Sequence, residues 1–129
     1  MITQARCEDR IQKSLEGRMN VLKRLMECND PTEYVYDEDG VELGCFEYYH
    51  LEFVYVEPMT YDKQPFGYWR YLISTGGPHD EIRYITGSDG NVVEMQYWFL
   101  DWFDGACIVL EGEYERIAQR IYDYFIHCL

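Results

Sequence analysis

Residues 67–100 carry the sequence GYWRYLISTGGPHDEIRYITGSDGNVVEMQYWFL, in which large apolar side chains alternate with polar ones in three successive runs. Side chains of a β-strand point alternately to opposite faces, so this period of two predicts three half-buried antiparallel strands at about 67–75, 80–86 and 92–100. The side chains expected on the buried face are Trp69, Tyr71, Ile73, Ile82, Tyr84, Val93, Met95, Tyr97 and Phe99.

Glycine-rich segments separate the three runs, at 76–79 and 87–91. They are typical turn sequences, because glycine adopts positive φ and proline fixes its own φ. An earlier run at about 48–56 alternates in the same way and adds a fourth strand. Its buried-face side chains are expected to be Leu51, Phe53 and Tyr55. The opposite face of the sheet, which we expect to be solvated or partner-facing and rich in charge pairs, carries Glu52, Arg70, Arg83, Glu94 and Gln96.

A helix is predicted near each end of the chain. Residues 4–28 and 112–127 show apolar side chains spaced by three or four, which places them on one face of an α-helix. The first helix is expected to end near Pro31, because proline disfavours helix in the residue before it. The apolar stripes comprise Ile11, Leu15, Met19, Leu22 and Met26 in the first helix and Ile117, Ile121, Tyr124 and Phe125 in the second.

The predicted fold class is therefore α+β: an N-terminal helix, a four-stranded antiparallel meander and a C-terminal helix. Both helices are expected to cover the apolar face of the sheet in a two-layer sandwich. A length of 129 residues favours a single domain, 1–129. Residues 32–47 stay open, because the turn sequence at 37–40 is flanked by short apolar runs that suit either strands or a helical turn.

The charge distribution is the most distinctive property of the sequence. The net charge is −13, and residues 30–62 contain ten carboxylates and no Lys or Arg. Nucleic-acid phosphates must be neutralised by cations, so this composition argues against direct binding to nucleic acid. It favours attraction to basic partners. The alternative is that the acidity only keeps the protein soluble.

Cysteine usage and hydropathy indicate the compartment. The five cysteines are widely spaced and form no Cys-x-x-Cys motif, so neither a disulfide framework nor a zinc site is predicted. The N-terminus is polar from Thr3 onward, which argues against a signal peptide. No apolar run approaches the roughly 20 residues of a membrane helix. We expect a cytoplasmic protein without a membrane partner.

The first candidate polar motif is the stretch 74–81, Ser-Thr-Gly-Gly-Pro-His-Asp-Glu. His79 and Asp80, followed by Glu81, could act as a general acid/base group beside exposed backbone N–H groups. The alternative, which we favour, is a hairpin turn with polar ends. The motif lacks the Gly-Lys-Ser/Thr ending of a phosphate-binding P-loop and does not lead into a helix.

The second candidate motif is the stretch 98–106, Trp-Phe-Leu-Asp-Trp-Phe-Asp-Gly-Ala. Asp101 and Asp104, together with Asp80 or Glu81, could bind a hard cation such as Mg²⁺, which is held by one or two carboxylates and water. The alternative, which we favour, is a strand that ends in a turn whose carboxylates cap backbone N–H groups. No metal or other cofactor is predicted.

The two stretches 67–83 and 97–106 together resemble small acidic proteins carried by phages, plasmids and other mobile elements. The shared features are the Gly-Gly-Pro turn and the later Asp-Trp-Phe-Asp-Gly segment, and the resemblance covers about residues 45–110. No catalytic residue is implied. What the resemblance implies is context, because mobile elements carry small inhibitors of host defence, including anti-CRISPR and anti-restriction proteins.

The favoured function is that of a non-enzymatic binding protein, a DNA mimic that inhibits a nucleic-acid-handling host complex. An array of carboxylates can occupy a basic groove built for phosphates. The carboxylates expected to contact the partner are Asp37, Glu38, Asp39, Glu42, Glu47, Glu52 and Glu57. The basic face of the first helix would lie elsewhere, for example against a second copy in a homodimer.

Two other functions stay open. The first is a metal-dependent or acid/base enzyme, which requires Asp80 or Glu81 to approach Asp101 or Asp104 in a pocket. The second is an immunity-type protein that neutralises a basic partner. The sequence does not separate this second function from the favoured one, since only the identity of the partner distinguishes them.

Overall fold

A computed structural model describes residues 6–61 and 63–129. The described chain contains two helices and seven strands. In chain order they are α1 (Cys7–Met26), β1 (Val35–Tyr36), β2 (Glu42–Gly44), β3 (Glu52–Val56), β4 (Tyr68–Ser74), β5 (His79–Thr86), β6 (Val92–Asp101), β7 (Asp104–Val109) and α2 (Gly112–Ile126). The α+β class with a helix at each end is as predicted. Neither helix in these ranges is long and apolar enough to cross a bilayer.

The main sheet has five antiparallel strands in the order β3-β4-β5-β6-β7. The prediction of four strands was wrong because β7 escaped detection. This strand begins with Asp104, Gly105 and Ala106, small or turn-forming residues without the β-branched and aromatic side chains that mark the other strands. It pairs with β6 from Gln96↔Val109 to Asp101↔Asp104.

Both helices pack on one face of this sheet. The apolar stripes of α1 and α2 meet the inward side chains of the sheet in one hydrophobic core. The buried side chains of this core include Cys7, Ile11, Leu15, Met19, Leu22, Leu25, Tyr71, Ile73, Ile82, Tyr84, Met95, Tyr97, Phe99, Ile117, Ala118, Ile121 and Phe125. The predicted stripes are confirmed, with Leu25 more deeply buried than Met26. The predicted start of the first helix at residue 4 lies outside the described residues.

Three residues depart from the predicted buried face. Val93 is 67% exposed, because the pairing of β5 with β6 shifts so that Thr86 faces Val92. The extra residue is a β-bulge, and it places Val92 against the core instead. Leu51 is exposed because it precedes β3. Tyr55 is partly exposed at the sheet edge, where its ring contacts Trp69.

Residues 32–47, left open by the sequence, contain the two-stranded hairpin of β1 and β2. Asp37 shapes its turn, because Oδ1 accepts hydrogen bonds from the backbone N–H groups of Asp39 and Val41, each at 2.9 Å. Arg24 of α1 donates to the carbonyl of Tyr36 at 2.9 Å. The hairpin therefore attaches to the helix layer rather than to the main sheet.

Two substitutions at the bulge test the register of β6 against β5. Val92→Asp is expected to lower the free energy of unfolding by about 1–3 kcal/mol, because it places a carboxylate against the core. Val93→Asp, the matched control, is expected to change it by less than about 0.5 kcal/mol, because this side chain faces solvent. Urea unfolding measures both. Equal losses would show that the bulge is placed wrongly.

Candidate functional site

Asp80, from the first polar motif, is buried between the sheet and α1. Its side chain is 2% exposed. It accepts hydrogen bonds from Arg18 Nε and Nη2 at 2.7 and 3.1 Å, from Tyr97 Oη at 2.6 Å and from Ser74 Oγ at 2.5 Å. Each carboxylate oxygen therefore has two protein donors. This geometry suits a structural ion pair, since proton transfer would need a lone pair that faces a substrate.

Glu81 follows Asp80 in the chain but lies on the opposite face of the sheet, because strand side chains alternate. It is 1% exposed. Its Oε2 accepts a hydrogen bond from Arg83 Nε at 2.7 Å, and its Oε1 contacts His79 Nε2. The two adjacent carboxylates therefore lie on opposite faces of the sheet. Asp80 faces the helices, and Glu81 faces the side of the sheet that the helices leave open.

Asp101 and Asp104, from the second motif, hold the first turns of α1. Asp101 Oδ2 accepts from Arg10 Nη1 at 2.6 Å. Asp104 Oδ2 accepts from the backbone N–H of Cys7 at 2.7 Å, which caps a helix that has no capping side chain of its own. This hydrogen bond to the Cys7 backbone is the main reason that the pKa of Asp104 is lowered.

The structure does not bring the two motifs into one pocket. Asp101 and Asp104 line a surface cavity of about 400 Å³ with Arg6, Cys7 and Arg10, and neither Asp80 nor Glu81 contributes to it. Within residues 6–61 and 63–129, no group of three or more His, Cys, Asp or Glu side chains is arranged to hold a metal ion.

The seven acidic residues expected to contact a partner divide into two groups. Asp37 and Glu52 are engaged within the chain, the first in its own turn and the second in an ion pair with Arg70. Glu47 is half-buried. The exposed group consists of Glu38, Asp39, Glu42 and Glu57. Three of these four, Glu38, Asp39 and Glu42, lie on or beside the turn of the β1–β2 hairpin.

The basic residues of α1 contact the protein itself. Besides Arg10 and Arg18, Lys23 Nζ lies 2.8 Å from Glu113 Oε1 of α2, and Arg24 binds the hairpin as described. A hydrogen bond to Glu113 raises the pKa of Lys23, and the same bond lowers that of Glu113. Arg10, Arg18, Lys23 and Arg24 therefore have intramolecular partners, whereas Lys13 is exposed. The contact of this helix with a second copy of the chain stays a prediction.

A further cavity lies on the open face of the sheet and was not predicted from the sequence. It has a volume of about 580 Å³, between the outward side chains of β4, β5 and β6 and the loop that precedes β4. We call it the outer cleft. Its walls include Tyr61, Pro65, Phe66, Tyr68, Ile85, Val93, Trp98 and Leu100. The available signal was a second set of apolar side chains on the supposedly polar face, which indicates that this face is covered too.

Arg83 is the basic residue of the outer cleft. Its guanidinium carbon lies 4.8 Å from the centroid of the Tyr68 ring and 4.1 Å from that of Trp98, while Nε is bonded to Glu81. Two cation–π contacts and one ion pair therefore hold the guanidinium in place.

The tip of the β6–β7 hairpin exposes two aromatic side chains. Trp102 is 83% exposed and Phe103 is fully exposed. Trp102 also has a φ of +55°, a conformation that costs most L-residues about 1–2 kcal/mol. Exposed aromatic residues on a strained turn are typical of contact points for a partner.

Neither a protein-family model, nor a curated protein, nor a solved structure matches the chain.

The capping role of Asp104 predicts a pH dependence. A carboxyl whose pKa is lowered in the folded state stabilises the protein above its unfolded pKa of about 3.9, and this stabilisation is lost as the pH falls through the folded value. Between pH 5 and pH 3, Asp104→Asn is expected to lose less stability than the unmodified chain. Thermal unfolding at each pH measures this. Asp39→Asn is the control, and an identical response of both variants would contradict the capping role.

The positive φ of Trp102, at the tip of the β6–β7 hairpin, predicts a stabilising substitution. Trp102→Gly is expected to raise the free energy of unfolding by about 0.5–1 kcal/mol, because glycine adopts positive φ without a steric cost. The gain is partial, since glycine also has more entropy in the unfolded chain. Phe103→Gly, where φ is not positive, is the control and is not expected to stabilise. A loss of stability in Trp102→Gly would show that the ring contributes contacts.

Proposed function

We propose that this protein is an acidic binding protein that occupies a basic surface of a nucleic-acid-handling protein. The observation that carries the proposal is the segregation of charge. Arg10, Arg18 and Lys23 of α1 are directed to carboxylates of the sheet and of α2, and Arg24 donates to the backbone of the β1–β2 hairpin, whereas Glu38, Asp39 and Glu42 of this hairpin are exposed and residues 30–62 contain no Lys or Arg. The acidic surface is therefore largely uncompensated.

The physics of such a surface favours a basic partner. With a net charge of −13, the chain attracts cationic grooves at long range and accelerates the encounter. A groove built for phosphates offers the complementary potential. The proposed role is inhibition by DNA mimicry, of the anti-CRISPR or anti-restriction type that the sequence resemblance implies.

The exposed tip supplements this surface. Charge sets the rate and the salt dependence of association, but affinity in most interfaces comes from a few buried aromatic or arginine side chains. Trp102 and Phe103 are exposed aromatic side chains suited to that role. In this proposal the acidic hairpin attracts the partner, and the aromatic tip supplies apolar contact.

The partner distinguishes this role from two others. An immunity-type protein would use the same acidic surface against a basic toxin, and a homodimer would pair it with a second copy. A cytoplasmic location belongs to the same proposal, because its partners handle nucleic acid there.

The test is capture of partners by a tagged copy in a bacterial host, followed by mass spectrometry. We expect a nucleic-acid-binding protein to be retained at low salt and released at high salt, because its contacts are electrostatic. Added DNA is expected to displace the protein from it. Capture that is insensitive to both salt and DNA would contradict mimicry.

Matched variants locate the surface. Glu38→Lys combined with Asp39→Lys is expected to weaken capture about tenfold or more, because repulsion replaces attraction at the hairpin. Glu115→Lys combined with Asp123→Lys changes the net charge equally on the exposed side of α2 and is the control. Equal effects of the two variants would assign the binding to net charge rather than to the hairpin.

A further inference from the structure

The outer cleft lies apart from the acidic hairpin, on the side of the sheet away from both helices. Its volume of about 580 Å³ falls in the range of pockets that hold small organic ligands. The loop that covers it is held by Gln64, whose Nε2 donates to the carbonyl of Glu57 at 2.6 Å and whose Oε1 accepts from the N–H of Tyr61 at 2.7 Å. The covering wall is thus organised by the protein itself.

The polar side chains of the cleft differ in how many of their donors and acceptors already form hydrogen bonds within the chain. The side-chain amide of Gln64 holds the loop, and that of Gln96 donates to Glu94 and accepts from Trp98 Nε1 at 2.9 Å. Arg83 uses only Nε within the described residues, and its side chain is 20% exposed. Among the residues that line the cleft in the described chain, Arg83 therefore supplies the cationic donors, beside the hydroxyls of Tyr61 and Tyr68.

The surroundings of Arg83 favour an anionic group there. The guanidinium lies over the rings of Tyr68 and Trp98, and the planar fork of an arginine matches the two oxygens of a carboxylate. Arg70 lies directly across the strand pair from Arg83, but it is paired with Glu52 and does not line the cleft. Glu94 stands exposed, and its Oε2 accepts the Gln96 amide.

We propose that the outer cleft binds a small apolar monocarboxylate, with the carboxylate on Arg83 and the apolar body between Phe66, Trp98 and Leu100. A single carboxylate is specified because one guanidinium is available and because Glu94 disfavours a second negative charge. This ligand site is independent of the acidic hairpin, so the failure of either proposal leaves the other intact.

The test uses three probes of one shape: 2-naphthoate, the neutral 2-naphthamide and the cation 2-naphthylmethylammonium. Isothermal titration calorimetry is expected to show that the carboxylate binds about tenfold or more tightly than the other two, because a charge-assisted bidentate contact is lost in each. Equal affinities for all three, or no binding of 2-naphthoate at millimolar concentration, would overturn the proposal.

Variants separate the two parts of the site. Arg83→Gln alone would leave Glu81 buried without its partner, so it is combined with Glu81→Gln. This double variant, checked for folding by circular dichroism, is expected to abolish the preference for the carboxylate. Phe66→Ala, in the exposed loop, is expected to weaken all three probes by similar factors. A preference that survives the double variant would overturn the role of Arg83.

The last comparison uses the peptide acetyl-Gly-Leu-Phe, which has a free C-terminal carboxylate. Weaker binding of this peptide than of 2-naphthoate is expected, because the cleft is sized for a compact body. Tighter binding of the peptide would assign the cleft to protein C-termini and overturn the small-molecule assignment.

Discussion

The buried ion pair between Asp80 and Arg18 is the interaction on which the rest of the structure depends. It joins α1 to the middle of the sheet, and Tyr97 and Ser74 complete the coordination of the carboxylate. The side chain of Asp80 is 2% exposed and that of Arg18 is 30% exposed, so the carboxylate is the charge that has left water, and its hydrogen bonds replace its solvation. The pair thus specifies where α1 lies, and Arg10 and Cys7 then meet Asp101 and Asp104.

The alternation of the strand extends this constraint to the other face. With Asp80 fixed toward the helices, Glu81 must point outward, where it binds Arg83. Arg83 then lies between Tyr68 and Trp98, and these three side chains form the floor of the outer cleft. One short polar segment, His79 to Glu81, therefore organises both layers, and this accounts for its two adjacent buried carboxylates without a catalytic role.

Much of the fold could be predicted because a period of two reports the buried face directly, as Tyr71, Tyr84 and Tyr97 show. The pattern assigned Val93 to the wrong face, because the bulge adds one residue to β6. It missed β7, because this strand begins with side chains too small to show an alternation. It also could not place the outer cleft, because the cleft depends on where the loop before β4 lies in three dimensions. The partners of Asp101 and Asp104 were unpredictable for the same reason, since both lie about ninety residues away on α1.

The placement of the cations bears on why the chain is acidic. Acidity that only confers solubility needs no particular arrangement, and cations scattered among the carboxylates would serve it equally well. In this chain Arg10, Arg18 and Lys23 of α1 meet carboxylates on the sheet and on α2, where they hold the layers together. Arg24 donates to the hairpin backbone, while Glu38 and Asp39 are exposed at the hairpin turn. Each internal ion pair removes one cation and one carboxylate from the surface, so the net charge of −13 is unchanged by folding. Cations used as structural ties are not available to the carboxylates of the hairpin turn, and this arrangement fits the proposed basic partner.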